Sequence, residues 1–131
     1  MAYFIASLDE LGEGYGFRKI RQPLGVTAFG VNALVFPPGY EGPNHYHDVQ
    51  DELYFVHRGT ATFTFDGVEH VVHEGGVVHV ESTTHRMITN SGERDLVLYV
   101  VGGKDGYVER DGKVVSDADL AKRVAMKEMQ K

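Results

Sequence analysis

Apolar and polar residues alternate strictly in one stretch of this chain. Ala61, Phe63 and Phe65 interleave with Thr60, Thr62 and Thr64, the period of a strand with one buried face. Other short strand candidates lie at 17–20, 26–36, 68–73, 77–80, 85–89 and 96–101, and the 26–36, 77–80 and 96–101 runs are rich in valine, leucine and aromatics or other apolar residues. Turn residues separate them. Pro37-Pro38-Gly39 ends the 26–36 run, within which Gly30 is a candidate bulge. Asp66-Gly67 is a strong two-residue hairpin signal. Glu74-Gly75-Gly76 and Asn90-Ser91-Gly92 close two further strands. Asp111-Gly112, between 107–110 and 113–115, predicts one more hairpin. Many short strands at this spacing predict an all-β sandwich or barrel.

Two segments have a different period. Ser7 before Leu8-Asp9-Glu10-Leu11 is a candidate N-cap for a short helical turn within 3–11, broken by Gly12, Gly14 and Gly16. Ser116 with Asp119 resembles a capping box. Behind it Ala118, Ala121, Ala125 and Met129 recur at threes and fours, with Leu120 and Val124 beside them, which predicts a helix over 117–130. There is no internal repeat and no linker. The expectation is one domain over 1–131, with a β core over about 26–102 and a C-terminal hairpin and helix over about 106–130.

Composition narrows the chemistry. The chain has 131 residues and no cysteine, so any metal must sit on nitrogen and oxygen donors. Its formal charge of -6, without a Lys/Arg block, argues against a nucleic-acid surface. No apolar run reaches membrane-spanning length. The N-terminal stretch lacks the basic start and apolar core of a signal peptide, so the expected location is the cytoplasm. The 16 glycines exceed the usual ~7% and fit a chain with many turns.

The candidate site lies between Gly39 and Gly59. On an extended strand His45 and His47 point to the same side, about 6.6 Å apart along the chain, close enough for two imidazoles to reach one ion. Glu52 follows five positions later, and His85 is a candidate fourth donor. Tyr54 shares the face of Glu52 and is the candidate catalytic or pocket-wall residue. Asn44, Phe36 and Arg86 are weaker pocket candidates, and the 81–84 loop a candidate lid. Of the remaining histidines, His57 has the wrong parity, and His70 and His73 face opposite sides. His79 could support the site from behind. A solvent-facing or locally bonded role is the simpler expectation for all four.

The order Gly39, His45, His47, Glu52, Gly59 resembles the first motif of the cupin superfamily, with every position filled. Gly67, Gly75 and His85 resemble the frame of its second motif. His73 stands where that motif has proline, and its closing asparagine comes one residue late, at Asn90. The resemblance implies a small antiparallel β-barrel, the double-stranded β-helix, holding one divalent metal on His45, His47, Glu52 and His85. Iron, manganese, nickel, zinc and copper all suit such donors. It implies no single reaction. Two classes stay open: a metal-dependent enzyme on a small organic molecule, such as a dioxygenase or isomerase, and a non-catalytic ligand-binding or sensing cupin. Metal-free sugar epimerisation would need a His–Asp pair and an Arg/Lys cluster, neither evident in the sequence. A DNA-binding regulator would need a second domain, for which 131 residues leave no room.

Leu53 and Phe55 lie on the strand face opposite Tyr54 and Val56, and 96–101 is apolar on both faces. A closed barrel has one interior to fill. Surplus apolar faces of this kind mark an interaction surface, so a homodimer is expected.

Overall fold

The computed structural model describes residues 2–129. Ten strands, β1 (Gly16–Lys19), β2 (Gly30–Phe36), β3 (His45–His47), β4 (Asp51–Arg58), β5 (Ala61–Phe65), β6 (Val68–Val72), β7 (Val77–Val80), β8 (Met87–Asn90), β9 (Leu96–Gly103) and β10 (Gly112–Val114), lie between helices α1 (Leu8–Leu11) and α2 (Asp117–Glu128). No helix among the described residues is long and apolar enough to cross a membrane.

One sheet has the order β1-β2-β9-β4-β7, with every pairing antiparallel. Opposite it lie β10-β3 and β6-β5-β8. The chain from 39 to 47 joins these two ladders through backbone hydrogen bonds to 82–90, among them Gly42 N–H to Ile88 C=O at 2.8 Å and His45 N–H to Arg86 C=O at 2.9 Å. Two layers therefore face each other, as the alternating pattern predicts, but the ladders do not close into a continuous barrel.

The core lies between the layers. Leu34, Phe36, Tyr54, Val56, Val80, Leu96, Leu98 and Val100 enter from one sheet, and Ala61, Phe63 and Ile88 from the other. Phe63 is fully buried and meets Tyr54 edge-on at 5.3 Å. Burying one such side chain contributes about 1.5–3 kcal/mol. Thr62 and Thr64 take the other face of β5, where Thr62 is also buried and donates to Ser91 Oγ at 2.8 Å.

Local signals explain most turns. Asp66 and Gly67 have φ of 49° and 80°, and Phe65 pairs with Val68 across them. That is the tight hairpin which Asp-Gly favours, because both central residues need positive φ. Gly59 has φ of +84°, and a Cβ there would lie 2.8 Å from the Asp95 carbonyl oxygen, so no larger residue fits without a shift.

Three expectations are corrected. The 26–36 run forms a strand only from Gly30, and Gly30 pairs regularly with Gly102. The irregularity falls instead between Val56 and Arg58, opposite Leu98 and Val97. Segment 107–110 forms no strand, so Asp111-Gly112 is not a hairpin turn. β10 pairs with β3, Val114 opposite His45 and Gly112 opposite His47. The Asp111 side chain bonds the Val49 and Gln50 N–H groups and His47 rather than capping a turn of its own.

Both helix starts follow their caps. Ser7 accepts the Glu10 N–H and Ser116 accepts the Asp119 N–H. Asp119 also accepts the Asn44 N–H at 2.9 Å, which ties the start of α2 to the loop entering β3. Met126 then drops into the core. The expected helix end at residue 130 lies outside the described residues.

Candidate metal centre

β3 and β4 carry three donors to one point. One ligand atom each from His45, His47 and Glu52 lies within 4.8 Å of the other two. His47 Nε2 is 3.1 Å from Glu52 Oε1. Both histidines face the interior because they share strand parity, and their rings meet edge-on at 5.6 Å.

Each ring is held through its other nitrogen. His45 Nδ1 lies 3.0 Å from the Pro43 carbonyl oxygen. A carbonyl only accepts, so Nδ1 carries the hydrogen and the neutral ring turns a lone pair on Nε2 inward. His47 Nδ1 lies 2.7 Å from Asp111 Oδ1, so Nδ1 again carries a hydrogen, and Nε2 presents a lone pair beside Glu52 whenever the ring is neutral. Asp111 is itself held by the Val49 and Gln50 N–H groups, at 2.7 and 2.9 Å. Such outer carboxylates and carbonyls set tautomer and basicity at metal-binding histidines. Two imidazole nitrogens and a carboxylate also form the donor set of three-ligand facial sites. The residues present therefore fit a divalent ion.

Glu52 is buried. The Tyr54 hydroxyl donates to its Oε1 at 2.6 Å, and Arg86 Nη2 lies 3.7 Å from the same oxygen. Tyr54 thus positions Glu52. Burial, and then the Glu52 charge, push the Tyr54 phenol well above its usual range, which keeps it a donor. Burial works to raise the Glu52 carboxyl, but the His47 hydrogen bond and charge, with Tyr54 and Arg86, outweigh it and leave it below the usual value. Burial also lowers His45, only partly offset by Pro43 and Glu52. In His47 burial is outweighed by Glu52 and Asp111, and the imidazole is raised.

His85, the expected fourth donor, is not brought to this point. It is exposed, and its ring stacks on Tyr46 at 4.9 Å, on the outer face of β3. Arg86 bridges to His45 and enters the interior fully buried. One-residue parity decides this, since adjacent strand residues face opposite sides. Asn90, one residue late when counted from His85, is in frame when counted from Arg86. It is buried and donates to the Phe36 and Arg94 carbonyls, both at 2.9 Å. Arg86 itself donates to the Ser82 carbonyl at 3.2 Å, and its Nε has no partner among the described residues.

The other histidines do not join the cluster. His57 lies beside Tyr99 at 5.4 Å and His70 beside Phe65 at 5.8 Å; His73 and His79 are exposed. Asp111, whose Asp-Gly pair predicts a turn and not a site residue, supplies a His–Asp contact with His47.

The site opens into a cavity of ≈ 570 Å³ whose walls include His45, His47, Glu52, Tyr54, Phe36 and Met126. A two-layer β fold with an inward His-His-Glu cluster on two consecutive strands, one from each layer, defines a class of small β proteins whose interior could hold a metal ion. The Cupin domain family model matches residues 33–102, and the chain belongs to the cupin family. Among solved structures, an uncharacterized conserved protein with a double-stranded β-helix domain from Klebsiella pneumoniae is 18% identical. It has a TM-score of 0.71, with 86% of this chain and 97% of that one covered. A sugar phosphate isomerase of the cupin superfamily from Silicibacter pomeroyi is 24% identical, with a TM-score of 0.64, covering 79% and 68%. A predicted oxalate decarboxylase from Thermotoga maritima is 20% identical, with a TM-score of 0.65, covering 76% and 97%. At these identities the likeness concerns fold alone. The oxidoreductase macE of Penicillium terrestre is 33% identical over 91 residues, 67% of this chain and 35% of that protein. The chain thus spans about a third of that relative's length.

The pKa directions predict a stability optimum for the metal-free protein. The raised His47 contributes stability that is complete below its unfolded value, about 6.5, and lost as pH rises through the higher folded value. The lowered His45 has the opposite sign: stability falls as pH drops below about 6.5 towards its folded value. Glu52 and Asp111, both lowered, are fully stabilising above about pH 4 and lose this as pH falls through their folded values. Urea midpoints measured in chelator should therefore peak near about pH 6.5. Asp111→Asn should flatten the alkaline limb. A midpoint still rising to pH of about 8 would contradict the assignment.

Proposed function

We propose that this cupin holds one divalent ion on His45, His47 and Glu52 and is a metal-dependent enzyme, dioxygenase- or isomerase-like, acting on a small organic molecule. The observation that carries the reading is that both imidazoles are oriented from behind, by Pro43 and Asp111, so that their lone pairs converge beside Glu52. A bound ion would polarise a substrate oxygen or an activated water. Tyr54 keeps Glu52 aligned through its hydroxyl, and the Pro43 carbonyl and Asp111 hold the ring hydrogens on Nδ1. The apolar walls formed by Phe36, Val100 and Met126 exclude water from one side of the bound molecule. Three protein donors are fewer than a divalent ion accepts, which is the mark of an open site rather than a closed structural one.

The test is substitution with Co(II), followed in the visible spectrum. One equivalent should bind, and a small bidentate acid should then shift the bands. Stoichiometric binding with no response to any small acid would remove the catalytic reading and leave a closed site. A protein that takes up no metal would remove both.

A second reading, proton transfer without metal, draws on the His47–Asp111 contact of 2.7 Å and on the Tyr54 hydroxyl beside Glu52. It predicts turnover that survives exhaustive chelation.

We also propose a cytoplasmic homodimer packed through the outer face of the β1-β2-β9-β4-β7 sheet. Val31, Phe55, His57, Tyr99 and Val101 line an open depression there, with Phe55 38% and Val77 61% exposed. The N-terminal segment leaves Tyr3, Phe4 and Ile5 exposed as well, so it does not bury its own apolar residues within one chain. Light scattering should give twice the chain mass at micromolar concentration, and Phe55→Glu should shift it to monomer. A wild-type protein eluting as monomer would refute the dimer.

A further inference from the structure

Five of the 13 lysines and arginines line the cavity that holds the candidate metal centre: Lys19, Arg21, Arg110, Arg123 and Lys127. They come from three separate parts of the chain. Lys19 and Arg21 lie at and just past the end of β1, Arg110 precedes β10, and Arg123 and Lys127 sit one turn apart on α2, on a common face. Glu52 is the one carboxylate among the lining residues, and its charge is already engaged by His47 and Arg86.

This distribution runs against the whole chain, whose formal charge is -6. Outside the cavity most cations have carboxylate partners: Arg18 lies beside Asp9, Arg94 beside Glu74, Lys113 beside Asp48 and Lys122 beside Glu41, and Arg58 and Lys104 are the exceptions among the described residues. None of the five lining cations makes an ion pair among the described residues. Arg21 Cζ lies over the Tyr107 ring, 3.8 Å from its centre, a cation–π contact that holds the guanidinium without neutralising its charge. Arg123 reaches only the Gly112 carbonyl, at 3.4 Å. Cations gathered in one cleft with low-dielectric walls repel each other and focus a positive potential into it. An anion entering the cleft relieves that repulsion.

We infer that the molecule bound at this site carries an anionic group, a phosphate or a carboxylate, that docks on Arg21, Arg110 and Arg123 with Lys19 and Lys127, while its reacting end lies at His45, His47 and Glu52. The inference rests on the reading of this cavity as a small-molecule site. Guanidinium forks recognise either group bidentately, and the cavity of ≈ 570 Å³ suits a compact ligand.

Calorimetry at low salt, on metal-free and metal-loaded protein, tests this with inorganic phosphate, glycerol 3-phosphate and succinate, and with glycerol as the neutral comparison. At least one anion should bind and glycerol should not, and the preference between phosphates and succinate identifies the group. The pair Arg21→Gln with Arg123→Gln should weaken anion binding by about tenfold or more. The pair Arg94→Gln with Lys113→Gln, an equal charge change outside the cavity, should change it by less than about twofold. His47→Ala should lose metal but keep anion binding. If the wild type takes up no metal yet shows the same ranking, the anionic subsite stands and the metal reading falls. Failure of every anion to bind, binding of glycerol equal to the anions, or equal weakening by both variant pairs would overturn the inference.

Discussion

Alanine at His45, His47 or Glu52 is expected to weaken divalent-metal binding by more than about 100-fold, whereas His85→Ala should leave it unchanged. With three donors converging within 4.8 Å, losing any one leaves two, too few to compete with water. His85 stacks on Tyr46 outside the cluster, so its removal changes no donor. Asp111→Asn should fall between, at about 10–100-fold, because it acts through His47. Binding should also weaken as pH falls, because the proton on raised His47 competes for Nε2, the atom that faces Glu52. Elemental analysis of chelated and reloaded protein, with competition against a chromophoric chelator, reads these constants, and circular dichroism checks the fold. Full metal retention in His47→Ala, or its loss in His85→Ala, would overturn the donor set.

Arg86→Ala should cost about 3–5 kcal/mol of stability, the usual effect of removing one partner from a buried ion pair. Arg86 is fully buried and Glu52 is 8% exposed, so the carboxylate that remains cannot recover its hydration. The alanine also abandons the Ser82 carbonyl that Arg86 bonds. In thermal unfolding the expected loss is of order 10 °C or more. Arg86→Met combined with Glu52→Gln should recover much of it, since neither side then carries a buried charge. A single variant that unfolds like wild type would show that the guanidinium contributes nothing to Glu52. A double variant as unstable as the single would assign the loss to packing.

The metal-centre prediction tests a reading that was half legible in the chain. His45, His47 and Glu52 could be named because two histidines with one residue between them must share a strand face, and because glycines bracket the motif on both sides. Arg86 could not be ranked above His85. Both precede β8, and their order of facing depends on where the bridge to His45 begins. The late position of Asn90 was the available signal, and it pointed one residue on. Asp111 carried no signal at all. Its neighbour Gly112 made a turn the natural expectation, and only the pairing of β10 with β3 brings it to His47, 64 positions away.

The cation cluster follows the same logic. Lys19, Arg21, Arg110, Arg123 and Lys127 are scattered in sequence and form no run, so composition reported only a net negative chain. By itself the sequence determined what depends on neighbours a few residues apart. That covers the alternating strands, the Asp66-Gly67 hairpin, the Ser7 and Ser116 caps, and the candidate cluster of His45, His47 and Glu52. Tertiary structure alone decided what depends on contacts between distant segments. It turned Arg86 inward and His85 outward, placed Asp111 behind His47, and gathered cations from β1, α2 and the approach to β10 around one cavity. The physical reason is that local backbone preferences set period and turn. Register and the docking of α2, through Asp119 on Asn44 and Met126 in the core, are settled by packing and hydrogen bonding between parts of the chain that no local pattern relates.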